Sequence, residues 1–333
     1  MTRLLLSTSN VMNGGPSIVR RIPHEKSNIE LTNSLRLNFA AAQEAAAADE
    51  FPATNGDVPV NGNGNVNGQS HARVVPLSAW TTREGSLISI PSIDWTLEGL
   101  AEERSQYDIT VKLFYLPGVP PARRAAHTKE ALALVLRELK VSSIDLLIVS
   151  FPGVAYESEV GCKGPHNGAC SLTAADTVVE DIDTMLDTWR ILEKLQGQGM
   201  IARLGVCEFG TQMLQDFLLR TKVRPAVDQI NFRSCCAVPR SLFILSKREA
   251  VELLTHSDCT NILPRGTLRE LLGEGERGAD VLTEKRVPGR LQGDVEPQWV
   301  VKYTAVVQDR GVVENKGYFA LADLHELGTG TSA

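Results

Sequence analysis

Three groupings of side chains in this 333-residue sequence have types and spacings that bear on chemistry. Cys162, His166 and Cys170 recur at regular intervals in a Gly/Pro-containing stretch, a pattern that invites comparison with a metal site. Three ligands without a fourth fall short of the usual closed structural zinc site, so no metal is expected. Cys235 and Cys236 are adjacent, just after the apolar run Val227 to Phe232. Neighbouring cysteines strain badly as a disulfide. Packed thiols are therefore the plain reading, and contact with a partner or response to an oxidant is the sharper one, favoured if Arg233 or Arg240 lowers a thiol pKa. Lys112 lies within the β-branched and aromatic run Ile109 to Tyr115, Asp145 near the start of Ile144 to Phe151, and His256 at the end of another apolar run. Their plain readings are a lysine paired with an acid inside the fold, a structural acid, and a hydrogen-bonded histidine.

The elements that must position these residues alternate. Ile109 to Tyr115 reads as a strand, Lys129 to Glu138 as a helix, and Ile144 to Phe151 as a buried strand. Val178, Ile182, Met185, Leu186, Trp189, Leu192 and Leu195 recur at helical spacing behind the acidic start Asp176 and Glu180, and Gly199 ends that helix before the strand Ile201 to Cys207. A helix at Leu214 to Leu219 precedes the strand Val227 to Phe232, and one at Ser241 to Lys247 precedes Ala250 to Thr255. A last pair is Gln298 to Gln308 leading to Gly311-Val312-Val313. Leu4 to Thr8 can supply a first strand and Leu87 to Ile90 a second. Regular βα alternation predicts parallel strands with crossover helices. Near-equal units, and no Gly-x-Gly-x-x-Gly turn after the first strand, favour a (β/α)8 TIM barrel, with a degenerate C-terminal end, over an open doubly wound sheet.

One stretch reads differently. Ala40 to Ala48 is nearly all alanine, and Pro52 to Gly68 is built from Asn, Gly, Pro and Val. Such composition buries too little apolar surface to offset the entropy of ordering. The predicted map is therefore residues 1–40 as the start of the barrel, 41–73 as a disordered insertion, 74–325 as the remainder and 326–333 as a flexible tail. The alanines themselves could extend a helix through Leu31, Leu35 and Phe39.

The formal net charge of −6, with no dense Lys/Arg cluster, excludes a field suited to nucleic acid. The opening apolar run is too short for a signal peptide core, and no stretch approaches the length of a membrane span, so a soluble, cytoplasmic protein is expected, with its six scattered cysteines reduced.

Three segments in order carry a family resemblance: Val111-Lys112-Leu113, then Ile144-Asp145-Leu146-Leu147-Ile148-Val149-Ser150-Phe151-Pro152, then Ile201-Ala202-Arg203-Leu204-Gly205-Val206-Cys207-Glu208-Phe209. They resemble the aldo-keto reductase strands ending in Thr-Lys-Leu, Leu-Asp-Leu-Leu-Leu-Ile-His-Trp-Pro and Ile-Arg-Ala-Ile-Gly-Val-Ser-Asn-Phe. A narrower resemblance lies in Gln229-Ile230-Asn231-Phe232-Arg233-Ser234-Cys235-Cys236-Ala237-Val238-Pro239, in Glu252 to Asp258, and in the tail Trp299 to Tyr303 with Arg310 to Val313 and Lys316 to Tyr318. These are similar to signatures of the glutamate-cysteine ligase regulatory (light chain, modifier) subunits, and the resemblance covers about residues 1–12 and 85–325.

The reductase resemblance implies hydride transfer from a nicotinamide, with a Tyr donating the proton beside a Lys, supported by His and Asp. Lys112 is retained at the Lys position, whereas Ser150 replaces the His. A hydroxyl has neither an imidazole's reach nor its proton chemistry. Asp94 stands as the possible Asp, yet the residue five beyond it is Gly99 and no Tyr occurs until Tyr107. His256 takes the place of the aromatic that stacks on the nicotinamide, and Glu314-Asn315-Lys316-Gly317-Tyr318 replaces the adenosine-phosphate clamp, although Gln229 matches the carboxamide-binding Gln.

The expectation is therefore a chain with no catalytic residues and no cofactor. By resemblance it associates, as a heterodimer, with the catalytic subunit of glutamate-cysteine ligase, which uses ATP and magnesium in the first step of glutathione synthesis. That association would improve the partner's use of glutamate and relieve its inhibition by glutathione. The alternative is an NADPH-dependent aldo-keto reductase with a rearranged site.

Overall fold

The computed structural model describes residues 1–14, 27–50, 75–97, 99–156, 179–231, 238–285 and 287–325. Cys162, His166, Cys170, Cys235 and Cys236 lie outside these residues, as do most of the predicted insertion and the tail.

Strand β1 is Thr2–Ser7, and its central leucines are buried. Helix α1, Ile29–Glu50, runs through Leu31, Leu35 and Phe39 and includes the alanines, so residues 41–50 of the predicted insertion are helical. Alanine's propensity carries the helix past its last large core residue. A short helix α2 (Leu77–Trp80), an edge strand β2 (Thr82–Glu84) and β3 (Leu87–Ile90) follow, and β3 pairs parallel with β1.

The βα rhythm is regular from here. Strands β4 (Tyr107–Tyr115), β5 (Ile144–Ser150), β6 (Ile201–Cys207), β7 (Val227–Ile230) and β8 (Glu252–Thr255) pair in parallel, each with the next. The crossovers are α3 (Arg124–Leu139), α4 (Ile182–Gly197), α5 (Thr211–Arg220) and α6 (Arg240–Glu249). Helix α4 shows why such a segment starts where it does. Asp181 accepts the Thr184 N–H at 2.9 Å and satisfies a donor that the first turn leaves open, while Met185, Leu186, Trp189, Leu192 and Leu195 form its buried stripe.

The C-terminal end departs from this rhythm. After α7 (Thr267–Leu272), the last two runs form an antiparallel hairpin, β9 (Asp294–Val307) and β10 (Val312–His325), turning at Gly311 with φ +61°. Trp299, Val301, Tyr303, Ala305 and Val307 alternate on one face of β9, the period of a strand and not of a helix. The hairpin inserts between β1 and β4, giving the sheet order β2-β3-β1-β10-β9-β4-β5-β6-β7-β8. Its two faces bury different clusters. Trp299, Tyr303 and Phe319 join the core under α3 and α4, whereas Val300, Ala320 and Leu324 join the core that includes α1 and α7.

The hairpin closes tightly on the N-terminal segment. A side chain at Gly317 would meet the Tyr303 hydroxyl at 2.3 Å and the Ser9 carbonyl at 2.6 Å, so only glycine fits there.

Candidate functional site

The register of β4 against β9 places Lys112 directly opposite Lys302. Two ammonium groups facing each other across a strand pair repel and destabilise the sheet. The loop after β8 resolves this. Asp258 Oδ2 accepts from Lys112 Nζ at 3.1 Å while Oδ1 accepts from Lys302 Nζ at 2.9 Å. That loop is itself held by the N-terminal segment, where the Ser27 N–H donates to the Ser257 carbonyl at 2.8 Å. Burial opposes ionisation of Asp258, but Lys302 and Lys112 outweigh it and hold the carboxyl well below its usual range. Burial likewise opposes the charge on Lys112, and Cys207 with Asp258 outweighs it, so the amine stays protonated. The Lys112 ammonium also lies 5.0 Å from the centre of the Phe114 ring.

A third lysine comes from β10. Lys316 faces Thr304 in the hairpin register and pairs at 2.6 Å with Glu30 in the first turn of α1, which also accepts from the Tyr318 hydroxyl. Lys112, Lys302 and Lys316, with Thr110, Gln229, His256 and Asp258, line a cavity of about 450 Å³ whose wall also includes Ile148, Leu254 and Val313.

His256 joins this cavity to a second, more deeply buried cluster. The Asp258 N–H donates to its Nδ1 at 3.1 Å, which leaves Nε2 to carry the proton, 2.6 Å from Glu208 Oε1 and 3.3 Å from Cys207 Sγ. Glu208 reaches inward because its backbone is left-handed, φ +65°, and its Oε2 accepts the Tyr156 N–H at 2.6 Å. The ligating atoms of Cys207, Glu208 and His256 lie within 4.8 Å of one another, close enough in principle to hold a metal ion. The Lys112 ammonium beside Cys207 works against a cation there. Next to Asp258, Cys259 is disulfide-bonded, so the cysteines are not all reduced thiols as expected.

The sequence-derived site is gathered only in part. Lys112, Gln229 and His256 meet at the cavity. Ser150 is buried at the end of β5, opposite Phe114, and is not part of the cavity wall. Asp94 lies on the surface, accepting from the Thr96 N–H and hydroxyl. Asp145 is structural, accepting from Arg104 and from the Ile109 N–H. The segment compared with an adenosine-phosphate clamp is instead part of β10, and Glu314 accepts from the Tyr107 hydroxyl at 2.7 Å.

Four of the tyrosine hydroxyls are engaged away from Lys112: Tyr107 with Glu314, Tyr115 with Thr128, Tyr303 with Glu138 and Tyr318 with Glu30. Sequence reasoning quoted Glu208, Lys302 and Lys316 within motifs but gave them no role at this site, and it did not name Glu30. Asp258 lay within a quoted motif without an assigned role.

A parallel βα series with a strand lysine facing the interior defines the class. Residues 92–303 match the family model described as "Aldo/keto reductase family", and the chain belongs to that family. Within it, the chain is similar to the protein of Schizosaccharomyces pombe named "Putative glutamate--cysteine ligase regulatory subunit", with 29% identity over 228 residues, 67% of this chain and 72% of that one. It is similar also to the "Glutamate--cysteine ligase regulatory subunit" of Mus musculus, with 24% identity over 66% of this chain and 68% of the relative. A shorter match, 32% identity over 34% of this chain and 35% of the relative, is to the "NADPH-dependent D-xylose reductase" of Meyerozyma guilliermondii.

Proposed function

We propose that this chain is a non-catalytic regulatory subunit of glutamate-cysteine ligase, which binds the catalytic subunit and biases it toward its more active state. The observation that carries this reading is that no tyrosine is among the described residues lining the cavity where Lys112 stands. A reductase needs its lysine beside a tyrosine hydroxyl to ease proton donation. Here four of the tyrosine hydroxyls are engaged elsewhere, and Ser150 supplies no imidazole. The names of the relatives that span two thirds of the chain support the same reading.

A regulator needs no chemistry of its own, because a surface that prefers one state of its partner shifts the equilibrium by that difference in affinity. The reading places the chain in a cytoplasmic heterodimer, without a cofactor. Among the described residues no helix is long and apolar enough to cross a membrane. The alternative, an NADPH-dependent reductase, keeps Lys112 and Gln229 at one cavity but has no tyrosine to donate the proton among the described residues that line it.

Mixing the purified chain with the catalytic subunit and measuring ligase activity tests the proposal. Activation of the ligase, together with no NADPH-dependent aldehyde reduction by the chain alone, is the expected result. Robust aldehyde turnover that disappears in Lys112→Met would overturn it.

A further inference from the structure

The crossover helices differ in what they turn to solvent. On α3 and α4 the exposed positions are alanine, glycine and charged residues. Helix α6 departs from this pattern. Arg240, Phe243, Ile244 and Lys247 fall at i, i+3, i+4 and i+7 and share one face, opposite the buried Leu242, Leu245 and Ser246. Phe243 and Ile244 are 51% and 52% exposed, and Phe243 is the one exposed aromatic ring among the described residues. Single exposed apolar side chains are ordinary, but here two adjoin and are flanked by cations. The acid of the helix, Glu249, is taken by Arg224 and Arg248. Arg240 and Lys247 have no ion-pair partner among the described residues, and the Lys247 ammonium stands 5.7 Å from the centre of the Phe243 ring. The side chains at both ends of the stripe are therefore free to meet carboxylates from another molecule.

We propose that the outer face of α6 is a protein-docking surface, seated in an apolar groove edged by carboxylates on the catalytic subunit of glutamate-cysteine ligase. This rests on the regulatory reading of the chain, which requires a surface for that partner. The chemistry of the groove follows from the stripe. Phe243 and Ile244 form its apolar centre, the place where an aromatic anchor contributes most to an interface. Arg240 and Lys247 lie about 10 Å apart along the helix, at about 1.5 Å per residue, so the acids that pair with them border the groove at its two ends. The chain carries a net charge of −6, which makes this basic stripe an exception and gives docking a direction, since an acidic partner is attracted here more than elsewhere. A second copy of the chain is disfavoured, because a two-fold contact through α6 sets its cations against their own copies. A membrane surface is disfavoured too, because the helix is 10 residues long and its other face is committed to the core.

Isothermal titration of the full chain into the catalytic subunit, at low and at high salt, tests it. Phe243→Ala combined with Ile244→Ala should weaken binding about 10-fold or more. Lys247→Glu should weaken it as well, most at low salt, where the attraction is least screened. Lys247→Arg should bind like the wild type. All these side chains are exposed, so an unchanged thermal midpoint shows that the fold is intact. Sedimentation with phosphatidylserine vesicles, and size exclusion of the chain alone, examine the other two occupants with the same variants. Wild-type affinity in both the double alanine variant and Lys247→Glu would overturn the docking surface and leave the regulatory reading standing, whereas no binding by the wild type would overturn both. Loss of vesicle binding, or of a self-associated form, in variants that still bind the catalytic subunit normally would overturn it in favour of that other occupant.

Discussion

Asp258 Oδ2 lies 3.1 Å from Lys112 Nζ, and the two side chains are only 7% and 4% exposed. Removing the acid strands Lys112 in the interior and leaves it facing Lys302 without an intermediary. Breaking a buried pair from one side costs about 3–5 kcal/mol. Asp258→Ala should therefore lower the unfolding free energy by about that amount in urea titrations. A loss below about 1 kcal/mol, the range of exposed pairs, would mean that the bridge contributes little.

His127 in α3 supplies a pH-dependent prediction. Burial first, and then the nearby Arg123, hold its imidazole down at about 4. In the unfolded chain it titrates at about 6.5. Between these values the unfolded state takes up a proton that the folded state refuses, so stability falls as pH drops through the window and is unaffected above it. His127→Asn should remove that part of the pH dependence. Equal slopes for the two proteins between pH of about 6.5 and 4, in denaturant titrations, would contradict the assignment.

Gly317 tests the hairpin. Any β-carbon there meets the Tyr303 hydroxyl and the Ser9 carbonyl, and the backbone contact cannot yield without moving β1's exit. Gly317→Val should destabilise by about 1–3 kcal/mol, the scale of overpacking. Tyr303→Phe in the same background should recover only part of this, because Ser9 remains. A neutral Gly317→Val would show that β10 does not pass so close to the N-terminal segment.

What was legible in the sequence followed from local periodicity. The strands β4 to β8 and their helices announced themselves because each buries an apolar face whose repeat is short-range. Lys112 stood out inside such a run, and an acid partner for it was foreseeable from the cost of burying a charge. Which acid was not, since Asp258 is 146 residues away and reaches Lys112 only through the turn after β8. The hairpin lysines were missed because the last two runs were grouped with the βα pairs, although the alternation of Trp299, Val301 and Tyr303 was a usable sign of a strand. Glu208 turns inward through a left-handed backbone that composition does not reveal. The vicinal pair Cys235 and Cys236, a proposed partner or redox contact, falls outside the described residues.

Co-elution of the full chain with the catalytic subunit of glutamate-cysteine ligase on size exclusion tests the central proposal most directly. A stable complex, with higher ligase activity than the catalytic subunit eluting alone, is the predicted result. Separate elution of the two proteins at concentrations that would saturate a micromolar interaction, with ligase activity unchanged, would contradict it.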